Sequence, residues 1–421
     1  MDATLYIVAT LGMAKAQSKA LNVICFATFF KGADFMRECK AQGCNVILIT
    51  REKMLHEDWP RDALADLFAV PNDAPVELYL DLVSHIAHQA KPDRIVALEE
   101  FDVVVAALAR EHLCLPGLSS SRAKTFRDKL AMSVKARDRG ITVPEFVPAI
   151  NDEEIREYLN RVPPPWVMKP RSDVSAIGIR KLERAEEVWP LIEEMNKREN
   201  LRERASYYLL SRFIGGDVFH VDSLVHNGKV VFAGVNRYGR PPMEVAHAGG
   251  VYISQTIAHN SDDRRKLLQI NRRLIKAMSL ETGATHAEFI KGETDGAFYF
   301  LEIASRVGGA YIADVLEAAS GINLWREWAR LETAAESNVA RTRLNPRKEH
   351  AGIILSLARQ EHPDTSAYDD PEIVYRVKKR HHAGLILRSP KVERVTALLD
   401  YYARRFADDF VAVEPPLERP E

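Results

Sequence analysis

The stretch HAEFIKGETDGAFYFLEIASR (residues 286–306) decides how the centre of this 421-residue chain folds. Its two apolar ends, HAEFI and FYFLEIASR, each have the pattern of a strand. Between them, TDG (294–296) has the composition of a tight turn whose glycine adopts the left-handed conformation. A hairpin that turns here sets Glu288 directly opposite Glu302.

Two carboxylates that face each other across neighbouring strands need a neutralising partner. Their Cβ atoms would lie about 5 Å apart. A divalent cation removes the repulsion, and Mg²⁺ commonly takes one or two carboxylates together with substrate phosphates. Alternation also puts Ala304 and Arg306 on the face of Glu302, so a permanent positive charge lies near the predicted metal site. The alternative is an exposed hairpin with scattered charges.

A phosphate site is predicted around Lys169. This lysine directly follows the apolar strand Trp166–Met168, within WVMKP (166–170), and precedes the small-residue loop RSDVSAIG (171–178). Such a loop can present backbone N–H groups to phosphate oxygens, and the lysine adds a point charge. Lys129, near the start of a helical segment within 119–143, belongs to this site only if it lies beside Lys169. By itself it has the pattern of a solvated lysine.

The segment YLLSRFIGGDVFHVD (208–222) holds two apolar strands around Gly215 and Gly216. A strand–turn–strand of this kind can offer backbone groups to the edge of an adenine, and an acid, Asp217, to a ribose. The same pattern also fits a simple hairpin.

The first third of the chain alternates strand and helix patterns. The runs NVICFAT (22–28), NVILIT (45–50) and RIVAL (94–98) predict a parallel sheet that is covered on both faces. Ligands of such sheets lie beyond the carboxyl ends of the strands. The acidic segment EEFD (99–102) follows the third run directly, so it either faces that crevice or forms a solvated loop.

Polar and small residues interrupt the strand pattern in NRYGRPPMEVAHAGGVY (236–252). This run predicts either a contact with a substrate amine, through Asn236–Arg240 and His247–Gly250, or an irregular surface loop. His220 and His286 either orient groups near the metal or are hydrogen-bonded strand histidines.

The remaining elements are predicted from periodicity, caps and turns. They are helices over 32–42, 81–90, 151–160, 262–278, 310–319 and 392–406, strands over 351–357 and 383–387, and a hairpin turn at Asn227–Gly228.

Composition and charge exclude several classes of function. The formal net charge is -1, so no long-range field recruits nucleic acid or an anionic membrane. The four cysteines form no CxxC pair, which argues against a zinc site or a disulfide framework. The sequence has no apolar run of roughly 18 residues and no basic start of a signal peptide. We therefore expect a cytoplasmic protein without nucleic-acid or membrane partners, and a homodimer is the base-rate expectation for its assembly.

The order of these segments resembles that of the ATP-grasp superfamily, in its carboxylate–amine ligase branch, which includes amino-acid ligases that make dipeptides. The segments that carry the resemblance are Lys129, Lys169 with its loop, FIGGD (213–217), HAEF (286–289) and LEIASRVGG (301–309).

The resemblance implies three parts. An α/β domain with a parallel sheet occupies residues 1–118. An α+β ATP-grasp fold follows over 119–335, with two antiparallel sheets that sandwich ATP and a small lobe at about 140–210. A C-terminal α+β subdomain takes 336–421.

For the nucleotide, the resemblance implies that two lysines contact the ATP phosphates, and Lys169 also the adenine edge. The loop 175–178 covers the phosphates, the strand 210–214 reads adenine through its backbone, and an acid lies near the ribose. The residues so assigned are Lys129, Lys169, Ser175, Gly178, Leu210, Phe213, Ile214 and Asp217.

For the reaction, the resemblance implies that Glu288 and Glu302 bind Mg²⁺, with Mn²⁺ as a substitute. Arg306 steadies an acyl phosphate and a tetrahedral intermediate, and Lys169 adds catalytic charge. The turn Gly308–Gly309 offers backbone donors to the substrate. The implied enzyme is an ADP-forming ligase that joins a small-molecule carboxylate to an amine.

Three departures from the family pattern keep alternatives open. Ser211 and Arg212 replace a usual acidic pair, the covering loop has few glycines, and Ala304 stands where many relatives have a metal-binding Asn. Ser211 and Ala304 favour an ATP-binding regulatory or partner-binding relative without turnover, whereas the intact lysines, glutamates and Arg306 oppose it. A ligase with a non-amine acceptor is the second alternative.

Overall fold

The computed structural model describes residues 7–8, 20–172, 178–241, 250–334 and 344–412. Its strands are β1 (Ile7–Val8), β2 (Asn22–Phe26), β3 (Asn45–Arg51), β4 (Asp66–Val70), β5 (Arg94–Ala97), β6 (Phe146–Pro148), β7 (Trp166–Pro170), β8 (Arg180–Leu182), β9 (Tyr208–Arg212), β10 (Gly216–His226), β11 (Lys229–Tyr238), β12 (Tyr252–Thr256), β13 (Gly283–Gly292), β14 (Phe298–Ala304), β15 (His350–Leu357), β16 (Ile373–Arg376) and β17 (His382–Ser389).

The α-helices of the same residues connect or cover these strands. They are α1 (Ala33–Ala41), α2 (Val76–Gln89), α3 (Val103–His112), α4 (Ser120–Lys124), α5 (Lys129–Asp138), α6 (Asp152–Arg161), α7 (Val188–Asn196), α8 (Asp262–Met278), α9 (Ile312–Ser320), α10 (Leu324–Thr333) and α11 (Val392–Asp409). No helix among the described residues is long and apolar enough to cross a membrane.

The N-terminal sheet has the strand order β1-β4-β3-β2-β5. Strands β2 to β5 run parallel, as predicted, and β1 pairs antiparallel with β4 at one edge. The prediction did not include β4, although its five residues are all buried. The acidic segment after β5 is buried at Glu99, Glu100 and Asp102, so the solvated-loop alternative is wrong.

The small sheet has the order β6-β9-β7-β8 and is antiparallel throughout. One face packs against α6 and α7, where Trp166, Met168 and Leu210 lie in the core. Alternation along β7 turns Val167 and Lys169 to the opposite face. The sheet therefore has one covered face and one face free for a ligand.

The large sheet has eight strands in the order β14-β13-β10-β11-β12-β15-β17-β16, and all its pairs are antiparallel. Helix α8 packs on one face, with Leu267 and Leu274 against Val235 and Phe289. The strands after residue 344 extend this same sheet, and α11 covers them. The C-terminal strands are thus continuous with the central ones.

The hairpin of β13 and β14 has the predicted register. Glu288 is the Cα partner of Glu302, and a bulge after Glu288 shifts the pairing closer to the turn. Gly296 has φ 64°, the left-handed conformation predicted for this turn. The Asn227–Gly228 turn also forms, with φ values of 49° and 70°.

The two strands around Gly215 and Gly216 do not form a hairpin, because β9 belongs to the small sheet and β10 to the large one. Gly216 has φ 147°, and a Cβ atom there would lie 1.9 Å from the Lys291 carbonyl oxygen. Only glycine permits this approach. The chain therefore crosses between the sheets at this pair of glycines.

Candidate active site

A cavity of about 700 Å³ lies between the small and the large sheet, and we call it the cleft. Most of the predicted site residues line it: Lys129, Lys169, Phe213, Ile214, Asp217, Glu288, Glu302 and Arg306. Leu210 does not, because its side chain packs in the core of the small sheet. Gly178 borders Pro170 of the cleft wall, with φ 71°. Ser175 lies outside the described residues.

Lys129 reaches the cleft from the first turn of α5. Asp128 caps this helix, accepting hydrogen bonds from the backbone N–H groups of Leu130 and Ala131. The Lys129 backbone N–H donates to the Arg171 carbonyl at 2.7 Å, which ties the helix to the end of β7. Its ammonium lies 2.8 Å from Glu302 Oε2. The helical segment predicted over 119–143 consists of two helices, α4 and α5. Lys129 is buried, so the solvated-lysine alternative is wrong.

Lys169 projects into the cleft next to Lys129. Desolvation and the neighbouring Lys129 charge lower the pKa of Lys169 to about 8, although Glu302 and Glu288 act in the opposite direction. The two ammonium groups give this part of the cleft a positive potential, whereas the carboxylates alone would give it a negative one. The pair is therefore suited to an anion such as a polyphosphate.

The two carboxylates line the same cleft but have different partners. Tyr238 donates its hydroxyl to Glu288 Oε1 at 2.7 Å, and His286 Nε2 lies 3.3 Å from the same oxygen. Burial by itself would raise the pKa of Glu288, but the hydrogen bond and charge of His286 lower it below its usual value. Glu302 is more open, with 35% of its side chain exposed. The alternative of an exposed hairpin with scattered charges is wrong.

These carboxylates fit a divalent cation with oxygen ligands, because they are directly opposed and share the cleft with the lysines. Ala304 adds no ligand. It is buried and pairs with His286 across the hairpin. Position 304 therefore supplies no third side-chain ligand.

A buried network of hydrogen bonds, formed by His220, Asp222 and His286, extends to Glu288. His220 Nδ1 lies 2.5 Å from Asp222 Oδ2, and His286 Nδ1 lies 2.8 Å from Asp222 Oδ1. Burial alone would lower the pKa of His286, but Asp222 raises it to about 10. Both histidines are thus hydrogen-bonded strand residues, as one alternative predicted, and His286 also orients Glu288.

Arg306 follows β14 by two residues, and its side chain is 14% exposed. Its Nε and one NH2 group donate to Glu100 Oε2 at 3.1 and 2.8 Å. Burial would lower the pKa of Arg306, but the Glu100 and Glu99 charges raise it above its usual value. The prediction found Arg306 by strand alternation but did not assign Glu100, whose only signal was its position after a parallel strand.

The other end of the cleft is more apolar and more open. Phe213 and Ile214 line it, and the Lys181 ammonium lies 4.4 Å from the centroid of the Phe213 ring. Asp217 is 60% exposed and lies 3.4 Å from Arg237. On β10 it pairs with Lys291, three residues along β13 from Glu288.

Two tyrosines also line the cleft, and the prediction had named them only as part of the run 236–252. Tyr238 and Tyr252 pack at 5.8 Å between ring centroids, and the Tyr252 hydroxyl is buried without a partner among the described residues. Asn236 is buried outside the cleft lining, and residues 242–249 lie outside the described residues. Gly309 lines the cleft, whereas Gly308 packs against Asp222 and His286.

Comparisons with known proteins agree with this arrangement. Residues 162–314 match the family model of the ATP-grasp domain. The chain is 23% identical over 302 residues to the L-arginine-specific L-amino acid ligase of Bacillus subtilis. The aligned residues cover 70% of this chain and 70% of that ligase.

Solved structures share the fold. The L-amino acid ligase from Bacillus licheniformis superposes with a TM-score of 0.72 at 18% identity, over 94% of this chain and 99% of that one. The biotin carboxylase domain of a Hydrogenobacter thermophilus carboxylase, solved with MgADP and bicarbonate, has a TM-score of 0.68 at 14% identity, over 92% and 90%.

The site and these matches define the class: residues 162–314 form an ATP-grasp domain, and the matches are consistent with the carboxylate–amine ligase branch of that superfamily. The chain is an ATP-dependent ligase that forms C–N bonds between small molecules.

Proposed function

We propose that the cleft binds Mg²⁺ and ATP, activates the carboxylate of one amino acid as an acyl phosphate, and joins it to the amine of another. One observation carries the proposal. Glu288 and Glu302 oppose each other on neighbouring strands, in the same cleft as Lys129, Lys169 and Arg306.

The nucleotide is proposed to lie along the cleft, with its base between the two sheets at Phe213 and Ile214 and its ribose near Asp217. Lys129 and Lys169 then face the phosphates. Glu288 and Glu302 would hold the Mg²⁺, or Mn²⁺ in its place. When bound, this ion neutralises phosphate charge and aligns the terminal phosphate for transfer.

The reaction has two steps. A carboxylate oxygen attacks the γ-phosphorus, the bond to the β-phosphate oxygen breaks, and ADP leaves. The neutral amine nitrogen then attacks the acyl carbon, phosphate leaves with the bonding electrons of the C–O bond, and the departing phosphate takes up the proton that the nitrogen loses. The lysines stabilise charge on the phosphates, and Arg306 stabilises the oxygens of the acyl phosphate and of the tetrahedral intermediate.

Amino acids are the proposed substrate class for two reasons. One relative, at 23% identity, is named as an L-arginine-specific L-amino acid ligase. In addition, the wall near Glu288 carries Tyr238 and Tyr252, whose rings and hydroxyls suit a small molecule with both apolar and polar parts.

The test is to incubate the protein with ATP, Mg²⁺ and pooled amino acids, and to measure ADP, phosphate and products by mass. A dipeptide supports the proposal. Bound ATP without substrate-stimulated turnover would support a regulatory relative, and condensation with a thiol or a phosphate-linked acceptor would support the other alternative.

Glu302→Gln removes one carboxylate charge and is expected to abolish turnover at any Mg²⁺ concentration. The matched control is Glu281→Gln, which changes an exposed glutamate just before β13 that pairs with Arg122 at 2.9 Å. Wild-type activity in the Glu302 variant would overturn the metal-site proposal.

We also propose a homodimer as the working assembly, supported by the dimeric biotin carboxylase domain that shares the fold. Its test is the molar mass in solution, where a monomer at assay concentration would contradict it.

A further inference from the structure

Glu100 enters the cleft region from a different part of the chain than every other charged residue of the proposed site. It begins a short 3₁₀ helix (Glu100–Asp102) that follows β5, at the carboxyl end of the parallel N-terminal sheet. Its Oε2 accepts two hydrogen bonds from Arg306, at 3.1 and 2.8 Å. Its Oε1 accepts one from Arg127 at 2.5 Å. One carboxylate thus binds two guanidinium groups.

All three side chains are withdrawn from solvent, with 11% of Glu100, 11% of Arg127 and 14% of Arg306 exposed. Burial would raise the pKa of Glu100, but the Arg306 and Arg127 charges lower it to about 2. The group therefore remains a carboxylate at neutral pH. Charge-assisted hydrogen bonds of this kind are short and directional.

Little else fixes the direction of the Arg306 side chain. Strand β14 ends at Ala304, so Arg306 lies beyond the register of the sheet. Its one further side-chain hydrogen bond among the described residues goes from NH1 to the carbonyl of the adjacent Val307, at 3.0 Å. Without Glu100, this local contact would be the one hydrogen bond left to the guanidinium among the described residues. The charges of Glu99 and Glu302 would still attract it but would not fix its direction.

Arg127 extends the arrangement to the small sheet. Its second nitrogen donates to the Ser172 carbonyl at 2.6 Å, two residues beyond β7. The carboxylate therefore connects the N-terminal sheet with β14 on one side and, through Arg127, with the end of β7 on the other.

We propose that Glu100 is a positioning residue for the ligase reaction. It holds Arg306 in the orientation in which the guanidinium meets the acyl phosphate, and it makes the N-terminal sheet a necessary part of the active site. The role of Arg306 rests on the function proposed above, whereas the Glu100–Arg306 contact does not.

The kinetic test compares Glu100→Gln with Glu100→Asp and with a matched control, Glu38→Gln. Glu38 is also a buried glutamate of the N-terminal part that accepts a hydrogen bond from an arginine of a later helix, Arg330 of α10, at 2.8 Å. It does not line the cleft. The control therefore weakens a contact between the N-terminal part and a later helix without changing a residue of the cleft.

Glu100→Gln is expected to lower kcat by about 10- to 100-fold, because a misplaced guanidinium stabilises the transition state poorly. The KM for ATP should stay within about threefold, since Arg306 acts on the acyl group. Glu100→Asp, which keeps the charge, should lie between Glu100→Gln and the wild type. Glu38→Gln should leave kcat within about twofold.

A second readout does not depend on turnover. The Arg306 Nε–H resonance, assigned by its loss in Arg306→Lys, should be protected from exchange with water in the wild type and in Glu38→Gln. In Glu100→Gln this protection should be lost. An unchanged kcat in folded Glu100→Gln, or an equal loss of kcat in Glu38→Gln, would overturn the positioning role. An unprotected Arg306 resonance in the wild type would overturn the Glu100–Arg306 contact itself. Absence of turnover in the wild type would refute the proposed function while leaving the NMR test intact.

Discussion

The two ends of the cleft are built differently. At one end, which we call the charged end, the cleft is lined by Lys129, Lys169, Glu288, Glu302 and Arg306. All of these except Lys169 make short contacts with one another or with buried neighbours. At the other, the apolar end, the wall is made by Phe213 and Ile214, together with an Asp217 that is 60% exposed.

This difference separates two tasks. Charged groups that are fixed before a ligand arrives cost no reorganisation during a reaction, so the charged end is suited to stabilising a transition state. An apolar wall with a solvated acid contributes to ground state and transition state alike. We therefore expect changes to Arg306 and the carboxylates of the charged end to act on kcat. Changes to the phosphate-binding lysines should act on KM for ATP, and changes at the apolar end on KM for ATP or on stability.

The largest effect is expected from Arg306→Ala. Removing its charge should lower kcat by about 10²- to 10³-fold, with the KM for ATP within about threefold. Steady-state kinetics with saturating Mg²⁺ would measure both. Arg237→Ala provides the control at the apolar end, where the arginine is 38% exposed, and should change kcat by less than about twofold. Equal losses in both variants would remove the distinction between the ends.

The next effect is on stability, at the glycine pair that joins the sheets. Gly216→Ala would place a Cβ atom 1.9 Å from the Lys291 carbonyl oxygen, at φ 147°. It should lower the free energy of unfolding by about 2–4 kcal/mol. Gly215→Ala is the control, since its nearest contact would be the end of the flexible Glu293 side chain at 3.4 Å. Thermal unfolding would show whether only the first variant is destabilised.

The pH dependence of ATP binding comes third. Desolvation and Lys129 lower the pKa of Lys169 to about 8, so the lysine is a cation below that pH and loses its charge as the pH rises through it. The KM for ATP should therefore increase by about three- to tenfold between pH 7 and pH 9. Lys169→Arg, which stays charged, should abolish this increase. The same increase in the arginine variant would assign it to another group.

The smallest effect is expected from Asp217→Asn. Losing an exposed acid near the proposed ribose should raise the KM for ATP by about two- to threefold without changing kcat. With 2′,3′-dideoxy-ATP, whose sugar has no hydroxyl to donate to the carboxylate, wild type and variant should have the same KM. A difference that persists with this analogue would show that Asp217 does not act on the ribose.

Local sequence was sufficient wherever a turn or a cap fixes the geometry. The hairpin register of Glu288 and Glu302 follows from one glycine turn, because antiparallel pairing propagates from the turn. Helix α8 has the predicted bounds because Ser261 caps its start and its apolar face repeats at helical spacing. The same local pattern failed around Gly216, because two apolar strands flanking glycines look alike whether they share a sheet or not.

The sequence by itself determined the class of the protein, through the order of its motifs, and it placed most of the predicted site residues in the cleft, since strand alternation is a property of nearby residues. Tertiary structure decided which charges meet. Glu100 and Arg306 are 206 residues apart in the chain, and Lys129 finds Glu302 only once helix α5 packs beside β14. Such pairs depend on how separate elements pack, and no local periodicity encodes that packing.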